Sequence, residues 1–174
     1  MRLTGTSYAV LTLIKLLGRA TPYDLKQALE TSIENFWPVP HTTSYAEPER
    51  LAAEGLLSVE QEPGGRRRKL YALTDSGRVA LREWADSPEV APPQLREEGV
   101  LKIFAGADPL PILRSRYEWH RAKLAELEGY LANVGEEESS NGVRASLQVG
   151  VGYERLMVEA LERYLASQAA TGSS

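Results

Sequence analysis

The sequence predicts a mainly α protein interrupted by one short basic β-ribbon, and three observations predict it. First, the stretch from Pro40 to Leu73 reads as a helix, a glycine stop at Gly55, and two alternating strands around Pro63-Gly64-Gly65, with Arg66, Arg67, Arg68 and Lys69 at the ribbon's tip. Second, Asp86 to Pro93 (DSPEVAPP) concentrates prolines that break helices and suit an extended linker. Third, Leu110, Leu113, Tyr117, His120, Leu124, Leu127, Leu131 and Val134 recur with alternating spacings of three and four, a heptad seam. Together these describe a winged helix-turn-helix domain over residues 1–86, then a helical, coiled-coil-like dimerisation domain over residues 94–168.

The elements follow in order. A first helix is expected over about Thr6 to Leu17, with Thr4 or Thr6 as its cap and Ala9, Val10, Leu13, Ile14 and Leu17 on its apolar face. Thr21-Pro22 opens a second helix, with Asp24 at the third helical position and Leu25, Leu29 and Ile33 facing inward. The prolines of Phe36-Trp37-Pro38-Val39-Pro40 end it, and the two aromatics are expected to wedge that turn into the core. A third helix runs from about Thr42 to Glu54, with Tyr45 and Leu51 on one face. Leu57 to Glu62 and Arg68 to Leu73 are the ribbon strands, and Thr74 caps a fourth helix with Val79, Leu81 and Trp84 as apolar contacts. Beyond the linker come helices over Gln94 to Ala105, from Pro109 behind the cap Asp108, and over about Val143 to Ala166. In the last of these Leu147, Val151, Leu156, Leu161 and Leu165 form the apolar set, and Gly150 and Gly152 suit a close backbone approach.

The chain has 174 residues with 43% hydrophobic and 25% charged side chains, ordinary values for a soluble globular protein. No apolar run approaches the roughly 18 residues that span a bilayer, and the N-terminus lacks a signal-peptide core, so no membrane partner and a cytoplasmic location are expected. There is no cysteine, hence no disulfide and no thiolate metal site. The net charge of −4 argues against nucleic acid until it is read locally. Residues 1–86 carry eleven Lys+Arg and eleven Asp+Glu, whereas residues 87–174 carry nine and thirteen. The acidic excess lies in the second part and the basic cluster in the first.

No catalytic constellation is present: the two histidines, His41 and His120, fall in different predicted domains, and no metalloprotease, nucleophile-elbow or phosphate-loop pattern occurs. Glu136-Glu137-Glu138 reads as a solvated loop, so neither metal nor cofactor nor enzymatic activity is expected. DNA contact is expected from His41, Thr42, Thr43 and Ser44, whose small polar side chains begin the third helix and can reach base edges or phosphates. Thr42 would also cap the helix. Tyr45 either meets a phosphate or buries its ring. Arg66, Arg67, Arg68 and Lys69 are candidates to neutralise phosphates, and Lys26 could touch one. In the seam, Leu113, Tyr117, Leu124, Leu127 and Leu131 are the expected dimer contacts, with His120 a polar member that fixes register. Trp84, Phe104, Tyr117 and Trp119 either pack the core or line a pocket for a small aromatic effector.

The first 85 positions resemble the PadR family of bacterial transcription regulators. The resemblance lies in TPYDLK (21–26), FWPV (36–39), SYAEPERLAAEGLL (44–57) and RKLYALTDSGR (68–78). The second half is similar, in length and helix pattern, to the C-terminal domain of larger PadR-like proteins. The resemblance implies a homodimer joined through its C-terminal helices, binding an inverted-repeat operator in double-stranded DNA. It implies repression more often than activation, and in some members release of DNA by small phenolic or drug-like molecules. One departure stands out: where many relatives have proline after the helix tyrosine and leucine two further on, this chain has Ala46 and Pro48, and Pro48 is expected to kink the helix or delay its start. The competing reading is a winged-helix protein-interaction module with no DNA target. The four adjacent cations speak against it.

Overall fold

The computed structural model describes residues 2–33, 36–40, 42–61, 68–135 and 141–171. The chain divides into two compact units, Met1–Ala91 and Pro92–Ser174.

In the first unit the helices are α1 (Gly5–Leu17), α2 (Pro22–Ala28), α3 (Thr43–Ala53) and α4 (Asp75–Asp86), and the strands are β1 (Arg19–Ala20), β2 (Leu57–Gln61) and β3 (Lys69–Leu73). Both opening helices begin in reciprocal capping boxes. Thr4 accepts from the Ser7 N–H while the Ser7 hydroxyl accepts from the Thr4 N–H, and Thr21 and Asp24 repeat the arrangement. Backbone donors that would otherwise face solvent are thereby satisfied at each start. After Ala28 the helix widens into a π-helical turn, Leu29–Ile33. There the Thr31 and Ser32 hydroxyls bond the carbonyls of Gln27 and Ala28, four residues back, which bends helices. The wider turn keeps Leu25, Leu29 and Ile33, spaced by four, on one buried face.

The sheet is three-stranded in the order β1-β3-β2, antiparallel throughout. β1 is an addition to the expected two-stranded ribbon; it closes the free edge of β3 through Arg19 opposite Ala72 and Ala20 opposite Tyr71. Val10, Leu11, Ile14, Leu25, Leu51 and Tyr71 make the core, all fully or almost fully buried. Thr74 joins helix to sheet. Its hydroxyl accepts from the Gly77 N–H at 3.0 Å and donates to the carbonyls of Gly55 and Leu56. A Cβ on Gly77 would lie 2.1 Å from the Leu56 carbonyl oxygen. Gly77→Ala is therefore expected to lower stability by about 1–3 kcal/mol through overpacking, read as a fall in the thermal midpoint with DNA-free protein.

Several sequence expectations change here. Phe36 is 68% exposed and Trp37 45%, so neither wedges the turn into the core. Trp37 instead lies across the start of α1, where its ring occupies the space a Cβ of Gly5 would need. Trp84 also stays half exposed and stacks flat on Tyr8, with ring centroids 4.4 Å apart. Val79 is exposed, leaving Leu81 as the buried apolar contact of α4. α3 starts at Thr43 and continues unbroken through Pro48, so the proline does not delay the helix, and Pro48 is buried on its inner face. Thr42 has helical dihedrals and makes no side-chain cap bond.

The second unit holds α5 (Glu98–Phe104), α6 (Pro109–Asn133) and α7 (Asn141–Thr171). α5 starts four residues later than expected, because residues 94–97 continue the extended linker. Asp108 caps α6 by accepting from the Leu110 N–H. The heptad seam of α6 meets α7 of the same chain. His120 and Leu127 are buried there, Leu113, Tyr117, Leu124 and Leu131 are half-buried, and Leu110 is exposed. Gly150 leaves room for the Leu127 side chain, at 3.3 Å from a would-be Cβ, while Gly152 faces open space; neither meets another backbone. α7 carries two stripes. Val151, Glu154 and Leu161 are buried, Val149 and Leu156 point outward, and Tyr153, though 43% exposed, sets its ring edge-on to His120 with centroids 6.4 Å apart.

Candidate nucleic-acid interface

The outward face of α3 is set by its inward one. Ser44, Pro48 and Leu51 are buried, which turns Thr42, Tyr45, Ala46 and Glu49 to solvent as one stripe. This changes the expected contact set. Ser44 is 0% exposed and is not available to DNA, Thr43 is half-buried, and Tyr45, at 54% exposure, keeps its ring out of the core. Ala46 and Glu49 join the face, a consequence of helical spacing that the choice of the first polar residues overlooked.

Behind this face α3 is fastened by Arg50. Its guanidinium bonds both Glu47 carboxylate oxygens, donates to Glu54 at 2.6 Å, and donates to the buried Ser7 hydroxyl at 2.9 Å. Ser7 belongs to the capping box of α1, so one side chain ties the start of α1 to the middle of α3. The Arg50 hydrogen bond holds the Glu47 carboxyl below its ordinary range against the opposing effect of burial, and the Ser7 hydroxyl helps. A carboxyl lowered in the folded state contributes stability above its unfolded pKa, and that contribution is lost as pH falls through the folded value. The fastening is thus complete at neutral pH and fails only in acid.

The wing is the β2–β3 ribbon. Its residues Arg66 and Arg67, like His41 before α3, lie outside the described residues. Arg68 is exposed and helps to hold down the carboxyl of Asp24, whose main restraints are the bonds from Thr21. Lys69 departs from expectation. Rather than pointing freely toward a phosphate, its ammonium pairs with Glu49 on the outward face of α3. That bond raises the Lys69 pKa above its ordinary value. Lys26 lies 3.7 Å from Glu30, one turn along its own helix.

The second unit contains a polar cluster under a cleft of about 290 Å³ lined by Glu97, Ser115, Arg116, Trp119 and His120. His120 Nδ1 lies 2.5 Å from Glu154 on α7, and its Nε2 lies 3.3 Å from an Arg116 nitrogen. The tautomer satisfying both partners has Nδ1–H donating to the Glu154 carboxylate and Nε2 accepting from the Arg116 guanidinium. Arg116 Nη1 is 2.8 Å from Glu97, yet Nη1 and Nε both lack a well-directed hydrogen bond. The Nη1 contact is close enough for charge attraction and off-line for a hydrogen bond. Of the four aromatics expected to line a pocket, Trp119 is in this cleft. Phe104 is 90% exposed, Tyr117 is half-buried outside the cleft lining, and Trp84 belongs to the first unit. Among the described residues no group of His, Asp and Glu could hold a metal ion, and no helix is long and apolar enough to cross a membrane.

A three-stranded winged helix-turn-helix with an exposed third helix, followed by a long helical hairpin, defines a class of transcription regulators. Residues 10–83 match the PadR-like family of transcriptional regulators. It is 26% identical to the negative transcriptional regulator PadR of Bacillus subtilis over 129 residues, 70% of each chain. Two solved structures of that regulator are similar in fold. The complex with operator DNA has a TM-score of 0.78 at 25% identity, covering 92% of this chain and 97% of the other. The complex with p-coumaric acid has a TM-score of 0.70 at 23% identity, covering 95% and 98%.

Proposed function

We propose that this regulator binds an inverted-repeat operator as a homodimer in the cytoplasm and represses transcription there, acting as a DNA-binding switch rather than an enzyme. The first unit would be the DNA-binding domain and the second the dimerisation domain. The observation that carries the reading is the exposed stripe Thr42, Tyr45, Ala46 and Glu49, braced from behind by Arg50 and flanked by the β2–β3 ribbon, beside which Arg68 is exposed. A helix so presented fits a major groove while the ribbon meets phosphates. The operator complex of the Bacillus subtilis relative supports the same use of the fold.

Counterion release gives a salt slope of about −0.9 per phosphate neutralised, so a dimer should show roughly −5 to −8. Replacing Arg66, Arg67 and Arg68 together with alanine is expected to weaken operator and random DNA alike and to flatten that slope. Fluorescence anisotropy across a salt series reads both quantities. An unchanged slope would take the wing out of the interface.

The cleft in the second unit supports an effector response. Arg116 lines it, and Trp119, 57% exposed, stands beside it. A small planar acid, of the kind bound by the Bacillus subtilis relative, would be attracted by the guanidinium charge and stack on the indole. Titrating p-coumaric acid into the operator complex tests this. Release in the wild type but not in Arg116→Met supports the cleft, and equal release in both removes it.

A further inference from the structure

Three acidic residues lie on α3 or at its C-cap, and they are not equivalent. Glu47 and Glu54 turn to Arg50 behind the helix. Glu49 alone among them stands on the outward stripe, one turn beyond Tyr45 and Ala46, with its side chain 58% exposed. A carboxylate on a DNA-facing surface is repelled by phosphates, so it needs both a neutralising partner and a use. Lys69, at the root of the wing, supplies the partner by binding one carboxylate oxygen, Oε1. An exposed ion pair of this kind contributes little to stability, so stabilisation alone does not account for a carboxylate in this position.

We infer that Glu49 is a specificity-determining residue of the operator contact: its carboxylate accepts a hydrogen bond from the N4 amino group of a cytosine in each half-site, with Lys69 orienting it and cancelling its charge. This rests on the DNA-binding reading above. A carboxylate only accepts, and cytosine presents a donor in the major groove. Guanine presents two acceptors and thymine an acceptor and a methyl group, which a carboxylate cannot satisfy. Adenine pairs its N6 donor with the N7 acceptor, the pattern that suits an amide instead. The small Ala46 side chain, one turn earlier, leaves the helix free to approach closely. The Lys69 pairing makes the contact selective as well as attractive, because a cation that would otherwise serve any phosphate is committed to the base-reading carboxylate.

The test is selection of bound duplexes from a randomised pool by the full-length protein, Glu49→Gln and Glu49→Ala, with thermal melts confirming that these surface variants fold. The wild type should enrich a two-fold symmetric sequence with one cytosine position per half-site that Glu49→Ala no longer enriches. Glu49→Gln should move that position toward adenine. Changing this cytosine to thymine in both half-sites should weaken the wild type by about 5- to 150-fold per half-site and leave Glu49→Ala nearly unaffected. The same consensus from all three proteins overturns the assignment while leaving operator binding intact. A wild type that enriches no sequence overturns operator binding and the assignment with it.

Discussion

Replacing Glu154 with alanine should destabilise the helical hairpin of the second unit by about 1–3 kcal/mol, the usual cost of leaving a buried donor without its acceptor. Glu154 is 7% exposed and His120 4%, so water cannot replace what is lost. The Nδ1–H of His120 would be left without an acceptor, and Arg116, already short of well-directed partners at Nε and Nη1, would lose the negative charge beyond the imidazole. Glu154→Gln keeps an oxygen that can accept the same bond, so its loss should be clearly smaller. The double replacement of His120 and Glu154 by leucine should recover much of the alanine loss, because apolar side chains remove the desolvation cost along with the bond. Urea titration followed by circular dichroism, with hydrogen exchange across α6 and α7, locates the effect. A Glu154→Ala midpoint equal to the wild type's would show that the cluster contributes nothing to the hairpin.

This cluster also shows where the sequence stops being informative. The heptad spacing placed α6 almost to the residue and singled out His120 as the polar member of its seam. Nothing in that spacing named Glu154, because α7 was legible only through its apolar residues and a buried carboxylate looks like any other acidic position. Local signals were reliable elsewhere too: the Thr21–Asp24 capping box, the stop at Gly55, whose φ is +76°, and the Thr74 cap all involve partners within a few residues. What failed depended on distant partners. β1 is two residues long, too short for an alternating pattern, and exists because β3 offers it an edge. Lys69 looked free until the fold brought Glu49 to it. Ser44 looked like a base-contacting residue until Pro48 and Leu51 fixed which side of α3 is buried. The outward stripe follows from those two residues and helical geometry, so part of it is legible in the sequence once the buried side of α3 is fixed by Pro48 and Leu51.

The double replacement of Val149 and Leu156 by glutamate should give folded monomers that have lost most operator affinity. Leu124 and Leu127, expected dimer contacts in the α6 seam, do not serve this experiment. Leu127 is 6% exposed and packs at Gly150 within the same chain, so a glutamate there should unfold the hairpin and say little about association. The outward stripe of α7 is different. Val149 is 75% exposed and Leu156 59%, and Tyr164 continues the row at 37%. At about 1.5 Å per residue this row is roughly 22 Å long, enough for a helix-to-helix contact between two copies. Exposed apolar rows of that length mark interaction sites more often than free surface. Charges placed on it oppose one another across a two-fold interface and leave the α6-facing stripe of Val151, Glu154 and Leu161 untouched. Each monomer would then hold one recognition helix, whereas the dimer spans half-sites about 34–36 Å apart with two. Losing that linkage should weaken operator binding by about 10²- to 10⁴-fold while leaving contact with a single half-site. Sedimentation velocity, circular dichroism and anisotropy on the same preparation separate the outcomes: monomeric, helical and weakly bound supports the α7 interface, whereas a variant that stays dimeric with full affinity places the two-fold contact elsewhere.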